Sequence, residues 1–77
     1  MSVSIREKEE CAKSALNILV DVLVKEHGYN ETFWLSHIYS SIFIQNLKNM
    51  ETGYWGEGVA FHKSKLLNEL ISKGIQF

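Results

Sequence analysis

An all-α fold is predicted for this chain by three features of its sequence. Proline is absent from all 77 residues, so the commonest helix breaker is missing. Apolar residues recur at helical spacing through three successive runs. Capping residues precede the first two runs, and glycines follow the first and third. Together these predict one compact domain spanning residues 1–77, with helices over about 5–27, 31–50 and 59–73. The first two should form an antiparallel pair with the third packed across them.

The first helix is marked at both ends. Ser4 followed by Glu7 fits a capping box, in which hydroxyl and carboxylate satisfy free backbone donors. Glu7, Glu9 and Glu10 sit where the positive end of the helix dipole favours acids. Gly28 stands at the position that usually ends a helix. Between them, Ala12, Ala15, Leu16, Ile18, Leu19, Val20, Val22 and Leu23 leave only a narrow polar stripe at Asn17, Asp21 and Lys25. A helix apolar around most of its circumference belongs at the centre of the fold. Val20–Val24 partly alternates as a strand would, but the length of the run and its caps favour helix.

Asn30 is a good N-cap for the second helix. Its apolar stripe is broad and aromatic: Phe33, Trp34, Leu35, Ile38, Tyr39, Ile42, Phe43, Leu47 and Met50. His37, Ser41, Gln45 and Lys48 fall on the opposite face. The segment Glu51–Gly58, ETGYWGEG, then places three of the chain's five glycines around Tyr54 and Trp55. A glycine-rich aromatic turn is predicted between helices two and three, because glycine reaches backbone angles closed to other residues. Its two rings either return to the core or face a partner.

The third helix draws its apolar face from Leu66, Leu67, Leu70 and Ile71. Gly74 followed by Ile75 matches a Schellman ending, with Ile75 folded back toward Leu70. The start of this helix is left open, since Gly58 or Ser64 could each be the cap, and a competing reading makes Val59–His62 extended, paired with Ile75–Phe77 in a short β ribbon.

Composition narrows the function classes. Eight Lys and Arg stand against nine Asp and Glu, which predicts no general attraction to nucleic acid or anionic lipid. Residues 1–31 lean acidic, whereas residues 59–77 carry Lys63, Lys65 and Lys73 against Glu69 alone. Cys11 is the only cysteine, so no intrachain disulfide can form. The opening MSVSIREKEE lacks the charged-then-apolar pattern of a signal peptide. The longest apolar run falls far short of the ~20 residues that span a bilayer. A reduced, cytoplasmic setting is expected. Lysine outnumbers arginine seven to one, a composition compatible with an AT-rich bacterial or phage genome.

Motifs for chemistry are not evident. His27, His37 and His62 lie on separate segments without metal-ligand spacing. Nothing couples Cys11 to a base, and the acids are concentrated at a helix start. The glycines of ETGYWGEG lack the lysine of a phosphate loop and carry Glu57 instead. No catalytic residue, metal, cofactor or small-molecule substrate is therefore expected. ETGYW followed by an amphipathic helix resembles short helical proteins of Gram-positive bacteria and phages, a likeness that assigns no residue a role.

The expected function is a non-enzymatic protein–protein interaction module, most simply a homodimer. Its rings are numerous for so small a core, and Trp and Tyr dominate interface energetics. Trp34, Tyr54, Trp55 and Phe61 are the expected partner-binding residues. The alternative is a helix-turn-helix-like DNA-binding regulator reading DNA with its third helix through His62, Lys63, Lys65 and Lys73. Against it stand the long connection, the absence of arginine there and the negative net charge.

Overall fold

The computed structural model describes residues 4–77. It contains four α-helices: α1 (Ile5–His27), α2 (Glu31–Tyr39), α3 (Ile42–Lys48) and α4 (Val59–Ser72). Two single turns of 3-10 helix, Met50–Thr52 and Tyr54–Gly56, connect α3 to α4. The all-α expectation holds, with two corrections. The anticipated second helix is two helices, so the described residues form four α-helices and not three. No strand forms among the described residues: Val59–His62 is the first turn of α4, and the ribbon with Ile75–Phe77 does not exist.

Local signals set most helix ends. Ser4 Oγ accepts from Glu7 N at 3.1 Å, and Asn30 Oδ1 accepts from Phe33 N at 2.9 Å. Gly28 ends α1 at φ 81°, with its N–H donating to Val24 O at 3.0 Å. After α4, Ile75 N donates to Leu70 O and Gly74 N to Ile71 O, both at 3.0 Å. That pair of bonds is the Schellman pattern, and it turns Ile75 back onto the core.

The break after Tyr39 has a local and a remote cause. Ser40 Oγ donates back to Ser36 O and His37 O, both at 3.1 Å. Ser41 Oγ donates to Ile38 O and accepts from Ile44 N at 3.1 Å. Ser41 thus closes α2 and caps α3, and it is buried, not on the polar face that helical spacing assigned to it. The remote cause is Glu69 of α4. Its carboxylate accepts from Ile42 N at 2.8 Å and Phe43 N at 2.9 Å, two of the free donors that open α3. Lys73 Nζ, 2.9 Å away, completes the arrangement. Burial by itself would raise the proton affinity of Glu69. The Lys73 hydrogen bond and the two backbone donors outweigh it and hold the carboxyl below the ordinary glutamate value of 4.5.

The core is one cluster centred on Leu19, Leu23, Trp34, Ile38, Leu66 and Leu70. After Gly28 the chain runs back along α1: Trp34 packs against His27 at a ring separation of 5.5 Å, and Leu47 and Met50 lie beside Ala12 and Leu16. α4 then runs in the same sense as α1, with Val59 near Ile18 and Lys63 bonded to Glu26 at 2.8 Å. Phe77 ends beside His27 and Trp34, at 5.2 and 5.8 Å. Along α1, Leu19, Val20 and Leu23 are buried, whereas most residues between Ile5 and Cys11 are exposed. The N-terminal half of α1 therefore stands only partly covered.

Candidate functional site

The uncovered half of α1 forms one wall of a groove of about 480 Å³. The other wall is the connection before α4. Thr52 shapes that connection: its hydroxyl donates to Asn46 O and Asn49 O and accepts from Tyr54 N at 3.2 Å. Gly53 turns the chain at φ 77°, an angle that side chains disfavour. The turn is tighter than three flexible glycines would suggest. Gly56 closes a 3-10 turn, and Gly58 leads into α4 at an ordinary φ of −81°.

This geometry brings Trp55 onto α1. Its Nε1 donates to Met50 O at 3.1 Å, which fixes the indole and leaves the ring half-buried. Lys8 lies over the ring, 5.3 Å from its centroid. The apolar surface of the groove comes from Cys11, Ala15 and Ile18 on α1 with Trp55 and Val59 opposite. Ile18 is 54% exposed, somewhat less than Ile5, Ile42 and Ile71, but it alone of these four lines the groove. Glu7 and Glu10 stand on the α1 side and Glu57 on the other, so both walls carry acid. Glu10 has a loose, exposed contact with Arg6 at 3.6 Å. Glu7 and Glu57 have no ion pair among the described residues.

Cys11 is exposed and His62 lines the same space, but no hydrogen bond joins them. His62 is buried and its Nε2 donates to Tyr54 O at 2.6 Å, so that nitrogen is committed to holding the connection against α4.

The residues expected to bind a partner separate into different environments. Trp34 is a correction: it is 0% exposed, enclosed by His27, Phe33 and Phe77, and cannot meet a partner without unfolding. Its Nε1 has no hydrogen-bond partner among the described residues. Tyr54 and Phe61 pack edge to face at 5.0 Å and are half-buried, with Phe43 and His62 behind them. Trp55 alone of the four lines the groove.

The residues expected to contact DNA are largely committed elsewhere. His62 is inside the fold, a second correction. Lys63 holds both oxygens of Glu26, at 2.8 and 2.9 Å, and Lys73 holds Glu69. Lys65 is exposed, over the Phe61 ring at 5.4 Å. Lys65 is thus the α4 lysine without a carboxylate partner among the described residues.

Sequence reasoning passed over Cys11, Ala15, Ile18, Val59 and the acids around them. One signal was present: Cys11, Ala15, Ile18 and Val22 are spaced four, three and four residues apart, a second apolar stripe beside the one that enters the core. Comparison of the chain with protein-family models, curated proteins and solved structures finds no match in any of the three. Among the described residues, no helix is long and apolar enough to cross a membrane.

Proposed function

We propose that this chain is a non-enzymatic protein-interaction module whose docking surface is the groove between α1 and the Trp55–Val59 segment. The observation that carries the reading is the gathering of Ile18, 54% exposed, with Trp55 and Val59 in one groove, which the still more exposed Ile5, Ile42 and Ile71 do not line. Apolar surface gathered in a groove and rimmed by charge is characteristic of protein contact sites. An anchored but half-exposed tryptophan is the kind of residue that dominates their energetics. The homodimer expected from the sequence is one form of this reading; a different protein is the other.

Support for the DNA-binding alternative is weaker. Phosphate contacts need free cations, and Lys63 and Lys73 are already bonded to carboxylates.

The test is sedimentation equilibrium of the purified chain across a wide concentration range, alone and with Ile18→Asp. A groove that docks a second copy gives concentration-dependent mass that the substitution abolishes while the thermal transition stays unchanged. Self-association that persists in Ile18→Asp moves the contact to another surface and sinks this assignment of the groove.

A further inference from the structure

Resting on the groove as a docking surface, we infer that its occupant is an amphipathic helix of another protein with lysine or arginine flanking a short apolar stripe. Three features lead there. The groove follows α1 from Glu7 to Ile18, which at 1.5 Å per residue is about three helical turns. That length suits a helix laid into a groove through anchors at i, i+3 or i+4 and i+7. The apolar surface of Cys11, Ala15, Ile18, Trp55 and Val59 runs along the middle and would receive those anchors.

Charge selects the partner. Glu7 and Glu10 on one side and Glu57 on the other place carboxylates along both edges of the bound helix. Basic residues flanking the apolar stripe would meet them from either side, and acidic ones would be repelled. A second copy offering the same face would bring its own Glu7, Glu10 and Glu57, setting like charges against each other. Of the lysines on and after α4, Lys63 and Lys73 are bonded within their own chain, to Glu26 and Glu69, which leaves the single exposed Lys65 beside Phe61 against three carboxylates. A foreign basic helix satisfies both the apolar strip and the acids.

The test pans a library of helical 16-residue peptides, displayed on a stable scaffold, against the immobilised full chain. Expected winners carry Lys or Arg beside apolar residues at i, i+3 or i+4 and i+7. They should lose binding to Ile18→Asp and weaken as salt rises. Reversing the three acids together, Glu7→Lys, Glu10→Lys and Glu57→Lys, should lower their affinity roughly tenfold, the summed effect expected of a few exposed charge pairs.

Winners that bind through the groove but carry no basic residues overturn the charge assignment and leave the docking surface standing. Failure to enrich any sequence dependent on Ile18 overturns both. Self-association abolished by Ile18→Asp gives the groove to a second copy and overturns the foreign helix.

Discussion

Two aromatic clusters divide this small protein, and they treat similar rings in opposite ways. At one end His27, Phe33 and Phe77 surround Trp34, with Tyr29 stacked on Phe33 at 4.2 Å. At the other, Phe43, Tyr54, Phe61 and His62 pack behind the connection that carries Trp55. Trp34 is sealed and its N–H is unpaired; Trp55 is half-exposed and its N–H is bonded to Met50 O. The first cluster spends a polar group to complete a core. The second satisfies its polar groups, with His62 on Tyr54 O as well, and leaves a ring at the edge of a groove. Burial of a tryptophan is thus no guide to how well its polar handle is served; position in the fold decides both.

The comparison breaks most readily at the two tryptophans. Trp34→Ala should cost about 3–5 kcal/mol in urea unfolding, the usual price of emptying a fully buried aromatic site. Trp55→Ala should cost less than half as much. Trp34→Phe should fall well below Trp34→Ala, because it removes the orphaned donor along with part of the ring. Equal costs for the two alanine variants would erase the distinction between the clusters.

A second prediction concerns the break that separates them. The Ser40–Ser41 junction puts Trp34 and Ile38 in one helix and Phe43 in the next, and Glu69 holds α3 in place from 27 residues away. Glu69→Gln should cost about 1–2 kcal/mol at neutral pH, comparable to losing a helix cap. The folded carboxyl is lowered below 4.5, so the native state favours its ionised form. Its contribution is complete above the unfolded value and is lost as pH falls through the lowered folded value. The stability difference between wild type and Glu69→Gln should therefore shrink as the solution is acidified below about pH 4.5. A difference constant down to pH 2 would mean that the charge of Glu69 is not what holds the junction.

The smallest effect is expected at the link between the clusters. Lys63 bonds Glu26 beside His27 and His62, but both side chains are a third or more exposed. Lys63→Ala should cost under ~1 kcal/mol after solvent screening and should lose its salt dependence. A larger cost would show the two clusters to be held together by this pair and not by the leucines between them.

Much of the fold was legible because its signals act over three or four residues. Ser4, Gly28, Asn30, Gly74 and Ile75 cap the chain where their side chains or backbone freedom allow, whatever the rest does. The start of α4 was not legible: Gly58 and Ser64 both stood as possible caps and Val59–His62 could be read as extended, and the helix begins at Val59. The apolar stripe of the second run was legible as helix, but its interruption was masked. Ser40 and Ser41 look like ordinary polar-face residues until their hydroxyls turn back onto α2. The candidate site was legible only in Trp55. Trp34, read from the same stripe, went to the core.

What the sequence by itself determined is therefore the helical state, most of the helix ends and the presence of a tight aromatic connection, since each depends on neighbours in the chain. Tertiary structure decided the rest. Glu69 could choose the α3 N-terminus only after α4 had packed beside it, because a free backbone donor takes whichever acceptor the fold delivers. Trp34 and Trp55 could be told apart only once α1 had turned one flank to the core and left the other open. Helical spacing marks which residues share a face, and packing alone decides which face is covered.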